Sequence, residues 1–421
     1  MSFFKRSFPV AVLFAFLVAC AAPVAPPTPA TEQAAPLPSE TPAPPVTETP
    51  ALAHPQPPLG TPVAHLAAGQ EIKLTFIHML NTTGGWAAGG PNGSSDHIFR
   101  TSDGGQTWQD VTPPEPASAD PQTPKKALGF FMDHQKAWVA FSPSFPSTID
   151  QAYIWRTIDS GATWHYTALT DPTLYQESYL PSDLTFIDAQ RGWMIAHVGA
   201  GMNHDYFALL ATTDGGLTWQ TLVSPQNDAS GTQSCSKSGM VFASPQDGWM
   251  AISCHGVVPV PYIFKSQDGG ATWTSLQLPP PASVPDLFAQ GYCNPTHPRL
   301  FTPTSGVLIL TCVAHSDLTT TEHFLYETTD GGATWNASPY PGGRLQFVGA
   351  TTAFALGRDI QRSDDSGHIW QPVAAVNWDG QFSFIDSQTA WAVATNDGQV
   401  ALVKTADGGL TWEEIQPKVA P

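Results

Sequence analysis

Charge is scarce in this sequence, and positive charge scarcest. Asp, Glu, Lys and Arg make up 12% of its 421 residues, about half the usual share. The 35 Asp and Glu outnumber 17 Lys and Arg, giving a formal net charge of −18. So few charges exclude a coiled coil or a charged helical bundle, and the acidic excess excludes duplex DNA or RNA as a partner. Beyond the first twenty residues no apolar run approaches the length of a membrane-spanning helix. Cysteine is limited to five residues. With no CxxC pair, HExxH, GxSxG or Walker loop, no zinc, serine-hydrolase or nucleotide chemistry is announced, and Ser234 to Lys237 fits SxxK by chance. What is abundant instead is Pro (41), Gly (35) and Trp (14), the composition of a turn-rich β protein.

The first twenty residues form a unit of their own. Lys5 and Arg6 precede an apolar run from Phe8 to Ala19 that ends in Leu17, Val18, Ala19 and Cys20. A basic start, a short apolar stretch and small residues before the cut predict a secretory signal over residues 1–19. The Leu-Val-Ala-Cys ending resembles the lipobox of bacterial lipoproteins. That resemblance implies lipidation of Cys20, export, and a lipid anchor on the extracytoplasmic face of a bacterial membrane as the only membrane contact. Ala21 to Pro62 contains 14 Pro in 42 positions. Residues 20–62 are therefore expected to form a lipidated Cys followed by a disordered Pro/Ala/Thr-rich tether.

Internal repetition organises the rest. The string SDGGQTW at Ser102 to Trp108 recurs as IDSGATW, TDGGLTW, QDGGATW, TDGGATW, DDSGHIW and TADGGLTW. Its aspartates are Asp103, Asp159, Asp214, Asp268, Asp330, Asp365 and Asp407, spaced by 56, 55, 54, 62, 35 and 42 residues. Each is preceded by an alternating strand centred on Phe76, Phe130, Phe186, Phe242, Phe301, Phe347 or Phe384, and in most copies by a second strand opening on Trp. A third apolar strand runs into the Asp turn and the turn's Trp leads a fourth. Four strands in each of seven units predict an all-β chain, a seven-bladed β-propeller of four-stranded antiparallel blades over residues 72–416. The Asp accepts amide bonds, Gly supplies positive φ, and Trp buries apolar area between blades. The aspartates are accordingly structural, and no catalytic residue is assigned. Ile369 replaces Thr in the sixth copy, so that turn is expected to be the weakest.

Chain direction places the a-to-b and Asp turns on one face and the longer connections on the other, where binding loops are expected. Cys235, Cys254, Cys293 and Cys312 flank two hairpins, with 19 residues separating each neighbouring pair. An exported chain permits disulfides, and the expected pairs are Cys235–Cys254 and Cys293–Cys312. Lys73, Lys126, Arg299 and Arg344 precede strand-a phenylalanines by a few residues. They are candidate ligand-binding cations at the channel mouth on the looped face, suited to a carboxylate. Arg100, Arg156, Lys265, Arg362 and Lys404 each stand three residues before an Asp turn, suggesting a cation over a Trp. His197, His204, His255, His297, His315 and His323 fall on the looped face, but without metal-ligand spacing no metal or other cofactor is expected.

The Asp turn resembles the Asp-box, or bacterial neuraminidase repeat. Its pairing with the Phe and Gly-Trp strands is similar to the photosystem II assembly and stability factor family, whose members are seven-bladed propellers. This resemblance implies a non-enzymatic, protein-binding scaffold, monomeric and membrane-anchored, that holds a membrane-associated client. Sialidases share the box but have six blades, an early FRIP-like motif and three substrate-binding Arg; here FRIP is missing and the central arginines are Arg299 and Arg344. Xyloglucanases resemble the repeats too, pairing two propellers in a much longer chain. A carbohydrate-binding or glycoside-hydrolysing propeller is the alternative, with glycan as ligand and Asp183, Asp286 and Glu177 as candidate paired carboxylates.

Overall fold

The computed structural model describes residues 64–114, 125–143, 152–169, 180–201, 204–254, 260–296, 298–317 and 319–421. The signal, Cys20 and the tether lie outside them. The described chain folds into seven small antiparallel sheets, the expected seven-bladed propeller. Strands a to d of blade 1 are Lys73–Met79, Gly85–Gly90, His97–Thr101 and Thr107–Asp110. Strand a of blades 2, 3 and 4 is Lys125–Phe131, Leu180–Phe186 and Ser236–Phe242. In blade 5 it is split into Gly291–Pro295 and Arg299–Leu300, and in blades 6 and 7 it is Arg344–Phe347 and Asp379–Phe384. The ring closes by a fifth strand: Lys418–Val419 pairs parallel with strand d of blade 1, while Gly69 N donates to Val419 O at 2.9 Å.

The core lies between blades. Trp138 and Ile154 of blade 2 pack with Phe186 and Met194 of blade 3, and Trp391 and Leu402 of blade 7 pack with Phe99 and Trp108 of blade 1. Burying an indole also requires a partner for its N–H, and the Asp turn of the next blade supplies it. Trp138, Trp193 and Trp391 donate to the carbonyls of Gly215, Gly269 and Gly104 at 2.7, 2.8 and 2.8 Å. Each Asp turn is in turn fixed to its own a-to-b turn, as in Gly104 N to Thr83 O and Gly331 N to Thr304 O, both 2.7 Å. Both kinds of turn therefore share one face.

Inside the turn, Asp103 Oδ1 accepts from the amides of Gln106 and Thr107, both at 3.0 Å, and Oδ2 accepts from the Thr107 hydroxyl at 2.6 Å. A further residue, not singled out from sequence, completes it. The Thr101 hydroxyl donates to Asp103 at 2.9 Å and accepts from Gly105 N at 3.0 Å; Thr157, Thr212, Ser266, Thr328, Ser363 and Thr405 do the same. Thr hydroxyl and amide bonds pull Asp330 and Asp407 down to about 2. A carboxylate depressed on folding contributes stability above its unfolded value and loses it as pH falls through the folded one. Thermal melts should thus show these turns' contribution intact above pH ~4 and lost by about pH 2; a melting temperature unchanged over that span would contradict this.

The sixth turn is the poorest, as Ile369 suggested. Asp365 Oδ1 accepts from Ser363, His368 and Ile369, but Oδ2 has no turn hydroxyl to receive. Ser366 also takes φ 67°, where five of the other copies place Gly, a conformation that costs an L side chain energy. Ile369 is 64% exposed, so Ile369→Thr should restore the missing bond at no packing cost. The expected gain is a raised melting temperature; no gain would mean the Oδ2 bond contributes nothing.

Three positions correct the expected strand register. Strand a ends on the residue opposite the start of strand b: Met79, Phe131, Phe186, Phe242, Leu300, Phe347 and Phe384. Phe130 and Phe301 are each one residue out of this frame and Phe76 is three out, an odd shift that reverses the face. In blade 5 the interruption between Pro295 and Arg299 moves the frame. Both expected disulfides are present: Cys235–Cys254 brackets strands a and b of blade 4, and Cys293–Cys312 joins directly opposed residues of those strands in blade 5.

Candidate functional site

Strand a is the edge strand facing the channel, so the backbone groups on its inner side have no partner within the blade. At four positions a side chain of the preceding blade's strand a meets that demand. One residue before the strand's end, Gln346 accepts from Phe384 N at 3.3 Å and donates to Phe384 O at 2.9 Å, and Ser383 accepts from Met79 N at 2.8 Å. Three residues before the end, Gln381 accepts from Ile77 N and Asp183 from Met240 N, both at 2.7 Å. Asp183 is thereby a blade-to-blade staple. Asp286 precedes the short helix Leu287–Gln290 without a capping bond, and Glu177 lies outside the described residues.

Arg299 and Arg344 occupy these same two rows. Arg299 is the residue before Leu300, equivalent to Gln346 and Ser383; Arg344 is three before Phe347, equivalent to Gln381 and Asp183. A guanidinium has no acceptor, so neither can make the amide bond its equivalents make. Arg299 lies over the rings of Phe301 and Phe347 at 5.6 and 5.5 Å. Neither arginine has an ion pair or hydrogen bond among the described residues. Both keep exposed surface, yet burial lowers the pKa of each with no carboxylate acting in opposition. Exposure to water inside surrounding protein is the condition of a side chain lining a narrow channel.

His78, in the same row as Arg299, stacks on Phe131 at 6.3 Å. Burial and then the Arg344 charge lower its pKa, so it is neutral at pH 7. Lys73 and Lys126 stand apart from this group, exposed at the opposite, looped end of strand a. The four sequence-selected cations therefore divide into two rim lysines and two channel arginines. Sequence reasoning missed His78 because its signal, one residue before a strand's end, depends on the register. Phe301, 44% exposed beside Arg299, was expected at the centre of a strand for the same reason.

Other chemistry-bearing groups are committed elsewhere. His97 and Asp110 form a buried ion pair at 2.9 Å that receives Leu66 N at 2.9 Å, fixing the start of the described chain to blade 1. Burial pushes Lys237 down to about 8, but its ammonium donates to the carbonyls of Ser234 and Cys235 at 2.9 and 2.6 Å, leaving the Ser234 hydroxyl unactivated. His197 bonds Asp205 at 2.7 Å and His323 bonds Thr311 at 3.0 Å; His315 lies against Tyr292 at 4.3 Å, and His204 stacks on Tyr206. No metal-holding group of His, Cys, Asp and Glu occurs among the described residues; His255 and His297 lie outside them. Arg100, Arg156, Lys265, Arg362 and Lys404 stand opposite the aromatic residue of strand b, with Lys404 4.8 Å over Trp391 and Arg362 5.9 Å over Phe354.

No protein-family model matches the chain. Among solved structures, it resembles a puromycin-hydrolysing peptidase of Mycobacterium tuberculosis with a TM-score of 0.50 and 14% identity, over 86% of this chain and 57% of that one. An ulvan lyase of a polysaccharide lyase family aligns over 84% and 96% of the two chains with a TM-score of 0.48 and 9% identity. The xyloglucanase of Xanthomonas campestris aligns over 83% and 80% with a TM-score of 0.27 and 12% identity. These likenesses concern fold alone. In sequence, the chain is 27% identical over 244 residues to a xyloglucanase of Paenibacillus sp, matching 49% of this chain and spanning 23% of that protein's length. This finding overturns the expected non-enzymatic, client-holding scaffold in favour of the carbohydrate alternative, and the chain is a seven-bladed propeller distantly similar to xyloglucanases.

Proposed function

We propose that the propeller is a carbohydrate-active module of the glycoside-hydrolase kind, whose first task is to bind a polysaccharide. The likeness to a xyloglucanase over 244 residues carries this reading. A glycosidase needs one ionised carboxylate and one carboxylic acid whose pKa is raised. Among the described residues, every aspartate with a clearly displaced pKa is displaced downward, by turn hydrogen bonds as in Asp330 or by an arginine as in Asp379. Such groups suit charge stabilisation and not proton donation. Binding is accordingly the function that these displaced carboxylates support. We also propose the lipid anchor at Cys20, which would hold the module at a membrane surface facing extracellular polymer.

Native electrophoresis of the full chain through gels cast with xyloglucan, other β-glucans, pectin or ulvan tests the binding, and a reducing-end assay on the same polymers tests turnover. Retardation by at least one polymer is the expected result. Free migration through all of them, with no new reducing ends, would overturn the reading.

A further inference from the structure

The three residues His78, Arg299 and Arg344 stand in the same two rows as Gln346, Ser383, Gln381 and Asp183, which bond the amide of the next strand. In the contiguous sector from blade 5 to blade 1, Gln346, Gln381 and Ser383 each give an acceptor to the next strand's amide. Arg299 and Arg344 replace that acceptor with a donor-only group. Two guanidiniums stand here without a carboxylate, both with exposed surface, in a chain that carries 35 acidic residues. Elsewhere such residues were available as partners: Arg358 bonds Asp379, Arg362 bonds Asp364 and Arg191 bonds Asp188 at 2.9, 2.8 and 3.0 Å.

The shape of the site adds a second requirement. Phe301 lies in the a-to-b turn of blade 5, where the residue is 44% exposed and its ring meets Phe347 at 5.1 Å. Arg299 reaches over both rings. An apolar ring face beside an unpaired guanidinium fits a ligand with a flat, C–H-rich face and a carboxylate on its edge. A pyranose bearing a carboxylate has that form.

We infer that Arg299 and Arg344, with Phe301 as platform, form an anion seat at the Asp-turn end of the channel that receives the carboxylate of a uronic acid in an acidic glycan. This rests on the carbohydrate reading above and specifies its substrate class. It also moves the point of entry from the looped face to the opposite one.

Calorimetric titration of the full chain at low ionic strength with trigalacturonate, and with its methyl ester, tests the assignment. The ester keeps the sugar skeleton and removes the charge. The acid should bind about tenfold tighter than the ester or better, a difference of about 1.4 kcal/mol. Arg299→Gln and Arg344→Gln should each abolish most of that preference, while Arg344→Lys retains part of it. Because the Arg344 guanidinium makes no hydrogen bond or ion pair among the described residues, Arg344→Gln should melt no lower than the wild type; a group held for structure would lose stability instead. Equal binding of acid and ester, or Gln variants that bind like the wild type, would overturn the seat while leaving polysaccharide binding intact. Failure of every polymer in the electrophoresis would overturn the carbohydrate reading itself. Hexaglutamate competing as well as trigalacturonate would overturn the glycan as the source of the carboxylate.

Discussion

Trp138→Ala is expected to destabilise the propeller by about 3–5 kcal/mol. Its side chain is fully buried, stacks on Phe186 at 3.8 Å, and donates to Gly215 O of the next blade's Asp turn at 2.7 Å. Truncation leaves a cavity at the blade 2–blade 3 interface and strips that carbonyl of its donor. Chemical denaturation should show the loss directly. A milder change separates the two contributions: Trp138→Phe keeps much of the volume and deletes the bond, so it should cost about 1–2 kcal/mol more than Trp249→Phe. The Trp249 indole is equally buried but has no hydrogen-bond partner. Equal costs at the two sites would mean that the cross-blade bond contributes nothing.

Removing both disulfides is the second large effect. Each closes a loop with a sequence separation of 19, for which the chain-entropy argument gives about 3 kcal/mol per bridge. Cys293–Cys312 also holds together the one blade whose inner strand is interrupted, between Pro295 and Arg299. The wild type should melt several degrees lower in reductant, and a variant with serine at all four positions should melt at that lower temperature with or without reductant. A reductant effect surviving in the variant would place the sensitivity elsewhere.

The fold was legible because each structural demand recurs seven times in one-dimensional form. Asp, Gly, Thr and Trp in fixed register encode the turn, and the cysteine spacing encodes two opposed pairs. The Ser or Thr two residues before each Asp was equally periodic, but its hydroxyl role becomes evident only when Thr101 is seen bridging Asp103 and Gly105. The site was harder to read. Phe301 and Arg299 look like the core aromatic and rim cation of their repeat until the interrupted strand moves the frame by one residue, placing Leu300 in the core position. That Gln346, Gln381 and Ser383 serve the neighbouring blade's backbone depends on pairing across the ring, including contacts between residues 304 apart in sequence. No local pattern carries that information, and so the exceptional character of Arg299 and Arg344 was hidden as well.

On this proposal the propeller grips a glycan by a carboxylate within its channel. A crystal structure of the full chain with trigalacturonate tests it most directly. The predicted result is a carboxylate about 3 Å from the Arg299 and Arg344 guanidiniums, with its sugar ring against Phe301. A trisaccharide ordered on the looped face beside Lys73 and Lys126, with only water between the two arginines, would contradict it.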